Sequence, residues 1–349
     1  MKNLFTKDVF SKRLKSARLL ARLTQEELAI QVGITKNAVS KYEKGEMLPE
    51  PGMLKNLAET LGVGYDYLTR SFEVEFMKVE FRKRTRLPKT EEYAIGEQIR
   101  MKVENYIQTE EILSINYSFD HPFPNTAVNT KQEMEEYAIQ LIKKWNLGLN
   151  GIPSVYRVLE DNEIKVLELT ANTDFDGWSA MANEKYPVIV INENMTTERK
   201  RFTAIHELAH LLFDFDDSLT DLEVEKLCHY FANAVLLPKP LMIRLFGTNR
   251  NIITASERMA MNRTYGISHQ AFMYRALELG IIKPYTYQQF QYLIRNDRKE
   301  KELSKFKGEE KAERFLTLVY RALSEEMVTL GKAAELSGVP EEELAEMFN

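Results

Sequence analysis

Two histidines four positions apart, with a glutamate after the first, stand at His206-Glu207-Leu208-Ala209-His210. On an α-helix, positions i and i+4 share a face. Both imidazoles can therefore reach one divalent ion, with Glu207 beside the water that such an ion would activate. The flanks support a helix, because Phe202, Ile205, Leu208, Leu211 and Leu212 recur at helical spacing. A hydrolytic metal centre needs a third protein ligand and an open position. The next helical stretch offers Glu223, Glu225 and His229. Glu225 lies one turn before Cys228, and His229 lies one turn after Glu225, so the residue types leave this choice open. Two imidazoles and a carboxylate suit zinc, with manganese as the alternative. In such a site the water's pKa falls towards about 7, and Glu207 takes its proton and passes it to the leaving amine. His229 and Tyr230 are candidate donors to the oxyanion. The strand Val188–Asn192 can offer an edge to an extended substrate, although its side chains read as core. Cys228 lies on an apolar face with Leu227, Phe231 and Val235, and reads as buried rather than reactive.

A second set of chemistry-bearing residues lies near the N-terminus. Thr24-Gln25-Glu26-Glu27 has the spacing of a capping box, and Gly33 is placed to stop the helix that it opens. A further helix runs from about Lys36 to Lys44. Two short helices joined at Gly33-Ile34-Thr35 have the helix–turn–helix layout, whose second helix enters the DNA major groove. Thr35, Lys36, Asn37, Ser40 and Lys41 are the short polar or basic side chains that base and phosphate contacts use. Gln25 is placed to reach a phosphate or the second helix. Glu43 and Glu46 weigh against the reading at the far end. Residues 1–70 hold twelve Lys/Arg against eight Asp/Glu, so they carry +4 within a chain of net charge −5. A basic N-terminal module on an acidic body confines contact with an anionic polymer to the first part.

Around these residues the pattern predicts helices over about 8–69, 90–107, 130–146 and from 197 onward. Strands are predicted at Tyr156–Leu159, Ile164–Leu169 and Val188–Ile191, with a turn at Asp174–Gly177. Residues 71–89 read as a linker or edge hairpin containing the basic run Arg82-Lys83-Arg84, and 297–313 as a solvated charge run. Thr329–Phe348 repeats helix–turn–helix spacing. Glu341-Glu342-Glu343 would repel phosphates there, so it reads as a packing or protein-contact module. His121 in a Pro-rich loop and His269 at a helix start read as structural. The chain has 349 residues, 44% hydrophobic and 28% charged, which fits a soluble globular protein of two or three domains. Its single cysteine excludes a disulfide scaffold. The absence of a long apolar run or an N-terminal apolar segment argues against membrane spanning or secretion and for the cytoplasm.

Leu23-Thr24-Gln25-Glu26-Glu27-Leu28-Ala29, Ile34-Thr35 and Ser40-Lys41-Tyr42-Glu43-Lys44-Gly45 resemble the lambda-repressor-like Cro/C1 (XRE) family across 8–70. That resemblance implies an operator-binding domain that is usually used as a dimer. Arg201-Phe202-Thr203-x-x-His206-Glu207-x-x-His210-Leu211, with Glu225-x-x-Cys228-x-x-Phe231-Ala232-x-x-x-Leu236-Leu237-x-Pro238, is similar to the ImmA/IrrE family of gluzincin-like metallopeptidases. So are Asp176-Gly177-Trp178 and Ile267-Ser268-x-x-Ala271-x-x-Tyr274-Arg275. The resemblance covers about 130–285. It implies zinc ligands at His206, His210 and Glu225, and a general base at Glu207. The family often has Asp or Asn four residues after the ligand glutamate, where this chain has His229. That residue is a candidate proton donor, metal ligand or support for a ligand.

The expected fold is mainly α with a small β-sheet (α+β). A five-helix helix–turn–helix domain occupies 1–70 and a linker and helical connector 71–129. A zincin-like metallopeptidase domain occupies 130–285 and a C-terminal helical region 286–349. The expected function is a DNA-binding regulator with a zinc-dependent endopeptidase, active or latent. It would cut a repressor-type or other regulatory protein, or its own linker, in a stress, prophage or toxin–antitoxin-like circuit. Its expected partners are an operator duplex, a protein substrate and a second copy of itself. The rival reading is a transcription factor or antitoxin whose metal domain is a non-proteolytic sensor or oligomerisation module.

Overall fold

The computed structural model describes residues 6–70, 74–76, 89–171, 175–296 and 304–348. The basic run Arg82-Lys83-Arg84, Asp174 of the expected turn and most of the 71–89 linker lie outside them. The chain divides into two compact units. One comprises Met1–Tyr117, Ala182–Glu184 and Glu313–Asn349, the other Ser118–Met181 and Lys185–Ala312.

The first unit opens with α1 (Lys7–Leu20), α2 (Gln25–Val32), α3 (Lys36–Glu43) and α4 (Pro51–Leu61). The capping box at Thr24 and Glu27 is formed, and α2 ends on Gly33 in the left-handed conformation at φ 74°. That conformation strains any residue with a Cβ. Phe10, Leu14, Leu28, Val39, Leu57 and Leu68 fill the core between these helices. The last expected helix of this module, at 65–69, is a single 3₁₀ turn, Asp66–Leu68. The long α5 (Lys89–Ile112) packs against α1. Arg13 on α1 is buried there and pairs with Glu104 on α5 at 2.7 Å.

The second unit contains α6 (Lys131–Lys144), α7 (Val155–Asp161), β1 (Lys165–Leu169), β2 (Gly177–Ala182) and β3 (Tyr186–Asn192). It continues through α8 (Thr197–Leu212), α9 (Asp221–Leu236), α10 (Lys239–Phe246), α11 (Ala255–Tyr265), α12 (His269–Glu278) and α13 (Pro284–Asn296). The sheet order is β1-β3-β2. β1 and β3 run parallel, with Lys165 opposite Val188 and Leu169 opposite Asn192. β3 is thus the central strand, and its Val188–Ile191 run is fully buried. This overturns the expectation that Val188–Asn192 offers an edge, because both its sides are paired. The edges belong to β1 and β2. β3 and α6 to α12 share one hydrophobic core, in which α8 packs on β3 and α9 packs on both α8 and α6.

The chain ends with α14 (Arg314–Ser324), α15 (Leu330–Ser337) and α16 (Glu341–Phe348), which belong to the first unit. The buried Asn105 of α5 donates to Leu336 O at 3.0 Å, and Tyr106 packs on Phe315.

Two local expectations are corrected. Tyr156–Leu159 lies in helix α7, not in a strand. A short apolar run does not by itself distinguish helix from strand. Here Ser154 Oγ accepts from Arg157 N, and Glu310 accepts from the Val155 and Tyr156 amides, so the helix N-terminus is satisfied. Residues 297–303 of the expected solvated run lie outside the described residues, and the same contact corrects that reading at Glu310. Glu310 is only 3% exposed and pairs at 2.5 Å with the fully buried Arg201 of α8. Burial pushes the Arg201 pKa down, and Glu310 opposes that shift.

Candidate metal centre and nucleic-acid interface

Thr196 caps the N-terminus of α8 and Thr220 forms a capping box at that of α9. Each helix therefore starts at a defined residue, which fixes which side chains face its neighbour. α8 turns His206 and His210 towards α9, and α9 returns Glu225. His206 Nε2 and His210 Nε2 lie 3.2 Å apart, and the Glu225 carboxylate oxygens lie 3.3 Å and 3.5 Å from them. All three side chains are largely buried. Two ring nitrogens facing each other beside a carboxylate make a poor hydrogen-bond network but a good cation site. A tetrahedral ion with bonds of about 2.0–2.1 Å needs donors about 3.3 Å apart. The three observed separations match that edge, so these residues fit a divalent metal. Burial pushes the Glu225 carboxyl pKa up, but hydrogen bonding to the two imidazoles outweighs it and holds the group well below the ordinary carboxylate range.

The other residues weighed from sequence fall elsewhere. Glu223 is exposed and occupied in the α9 capping box, where it accepts from Thr220 N at 2.9 Å. His229 lies against His206 with ring centroids 4.5 Å apart, and it also stacks on Phe202. It is not in the group of convergent donors formed by His206, His210 and Glu225. Tyr230 points to the other side of α9, where its hydroxyl donates to Glu135 at 3.0 Å. It is thereby removed as an oxyanion donor, and burial raises its pKa to about 12. His121 and His269 hydrogen-bond within their surroundings, to Leu211 O and the Phe123 amide and to Ser304 Oγ respectively.

Glu207 turns towards β2, where Ser179 Oγ donates to its Oε2 at 2.7 Å. The sequence pattern predicts no strand here, so this serine is not among the expected site residues. The small residues Gly177, Ser179 and Ala180 gave no apolar alternation to detect. Gly177 brings β2 against α8.

In the first unit, Thr35, Lys36, Asn37 and Lys41 are exposed at and along α3, and Ser40 is half-buried. Thr35 Oγ1 caps α3 by accepting from Ala38 N. Gln25 reaches the second helix, donating to Glu43 at 2.7 Å. Arg18 holds the same carboxylate through two further contacts. The negative charge of Glu43 is thus neutralised inside the fold rather than presented to a duplex.

Residues 160–277 match the family model described as the IrrE N-terminal-like domain, a peptidase family, and residues 14–68 match the helix-turn-helix model. Over 114 residues the chain is 32% identical to the radiation response metalloprotease IrrE of Deinococcus radiodurans, covering 27% of this chain and 35% of that protein. Over 62 residues it is 39% identical to the HTH-type transcriptional regulator YqaE of Bacillus subtilis, covering 18% and 53%. A prophage-derived HTH-type regulator of the same bacterium, YonR, is 34% identical over 68 residues, covering 20% and 63%. The chain thus spans about a third of the length of IrrE and about half to two thirds of the two regulators. It joins an XRE-type helix–turn–helix DNA-binding domain to an ImmA/IrrE metallopeptidase domain.

Proposed function

We propose that this chain is a transcriptional regulator whose metallopeptidase domain cuts a regulatory protein. Its metal would be held by His206, His210 and Glu225, and its general base would be Glu207. The observation that carries this reading is the convergence of three donors at tetrahedral spacing, with a second carboxylate, Glu207, next to His206 on α8. A zinc ion held there would supply a Lewis acid and lower the pKa of a water. Glu207 would act as general base, accepting a proton at its carboxylate and returning it to a leaving amine. Ser179 donates to one carboxylate oxygen of Glu207 and leaves the other for that transfer. β2 is an edge strand in the sheet order, bridged on its outer side by Phe76 at Ala182, and its stretch before Ala182 would offer backbone groups to an extended peptide beside the base. His229 supports the His206 ring by packing against it at a tilt rather than by binding the ion. In the other unit, Thr35, Lys36, Asn37, Ser40 and Lys41 contact the operator, and Gln25 braces the reading helix through Glu43.

The resemblance to a radiation response metalloprotease and to a prophage-derived regulator supports a stress or prophage circuit. The substrate is a repressor-type protein or this chain's own segment near 71–90, and operator binding uses two copies. Zinc-loaded protein, incubated alone and with helix–turn–helix repressors of the same genome, is expected to yield defined fragments by mass spectrometry. Glu207→Gln should retain zinc and operator binding but yield no fragments. If both proteins leave every substrate intact and regulate the same operator equally, the domain is a sensor or oligomerisation module and the peptidase reading fails.

A further inference from the structure

A histidine that binds a metal through Nε2 carries its remaining proton on Nδ1, and the acceptor of that proton fixes the ring's tautomer and orientation. The two histidines of this centre differ in what lies at Nδ1. His206 Nδ1 is buried with no hydrogen-bond partner among the described residues, and its ring lies against that of His229 at a tilt of 40°. His210 Nδ1 lies 3.1 Å from the sulfur of Cys228, which is fully buried. Cys228 stands three residues after Glu225 on α9, so the two side chains project from adjacent positions on one helical face. One face of α9 therefore meets the His210 ring from both sides, with the Glu225 carboxylate near Nε2 and the Cys228 sulfur at Nδ1.

We propose that Cys228 is a positioning residue of the metal centre, whose sulfur accepts a hydrogen bond from His210 Nδ1 and so keeps Nε2 unprotonated and aimed at the ion. This rests on the metal-binding part of the function proposed above. The sulfur lies on the side of the ring opposite Nε2, so it orients the ligand and does not coordinate.

The test is the zinc affinity of the full-length protein, measured by competition with a chromophoric chelator, for wild type, Cys228→Ala and Cys228→Ser. Loss of an outer hydrogen-bond partner lowers metal affinity by about 10–100-fold. Cys228→Ala should lose affinity in that range. Cys228→Ser, which keeps an acceptor, should recover most of it. Both variants without zinc should melt with wild-type cooperativity and bind DNA as wild type does, which separates loss of positioning from misfolding. The cobalt-substituted wild type should show ligand-field bands of a nitrogen and oxygen site without a thiolate charge-transfer band, and Cys228→Ala should shift those bands. Equal zinc affinity in all three proteins, failure of serine to rescue, or a thiolate charge-transfer band would overturn the role of Cys228 and leave the peptidase reading standing. A wild-type chain that takes up no zinc would overturn both.

Discussion

Gly177 occupies a position that no larger residue fits. A Cβ there would lie 2.7 Å from Thr203 Cγ2, 3.2 Å from Val190 O and 3.3 Å from Glu207 Cγ. Thr203 is β-branched and stiff at χ1, so it yields poorly. Gly177→Ala is therefore expected to separate β2 from α8 and move Ser179 off Glu207, at a cost of about 1–3 kcal/mol for overpacking. Urea denaturation reads the stability loss and the fragment assay reads the damage to the base. A variant with wild-type values in both would mean that β2 does not brace Glu207. At this scale, His206, Glu207 and His210 were legible because their relation is local and i, i+4 spacing is a property of any helix. Ser179 was not legible, because its partner lies 28 positions away and nothing in its neighbours marks a strand.

The helices that carry these residues are fixed at their ends. α8 is braced in mid-length by Arg201, which donates to Glu310 and to the carbonyls of Ile152 and Tyr265 and lies under the Phe306 ring. Removing the charge of Glu310 strands a fully buried guanidinium, which costs about 3–5 kcal/mol. Glu310→Gln should lose that much by chemical denaturation, and a loss below about 1 kcal/mol would mean that the segment 304–312 is only a covering. In the first unit, α3 offers Lys36 and Lys41 to solvent. A Lys36→Ala/Lys41→Ala protein should bind operator more weakly and lower the salt slope by about 0.9 for each lysine that meets a phosphate. An unchanged slope would place the duplex elsewhere. The capping boxes at Thr24, Thr130, Thr220 and Thr254 show how element ends can be read. Of these, only the box at Thr24 is among the expectations drawn from spacing. α7 shows the opposite case, because its N-terminus is satisfied by Glu310, more than 150 residues away.

The molecule is two units, each with a core of its own, and the chain passes between them more than once. Among the described residues, no helix is long and apolar enough to cross a membrane. Because the proposed metal ligands all lie in the unit of Ser118–Met181 and Lys185–Ala312, zinc should stabilise that unit alone, by about 2.7 kcal/mol when free zinc is about 100 times Kd. Calorimetry should show one transition that rises with zinc and returns with a chelator, and another that does not move. Two transitions moving together would mean that the units unfold as one. The sequence by itself determined the helix that carries the histidines, the capped helix pair with its left-handed Gly33 and the basic charge of the first module, because each follows from neighbours within one or two turns. Residue types left Glu223, Glu225 and His229 open and only the resemblance pointed to Glu225; tertiary structure decided that the Glu225 carboxylate converges on both imidazoles while Glu223 stays in its capping box, that Tyr230 turns away, and that Glu310 is buried on Arg201. Those outcomes depend on how capped helices are rotated and packed around a shared core, which the spacing of residues along the chain does not encode.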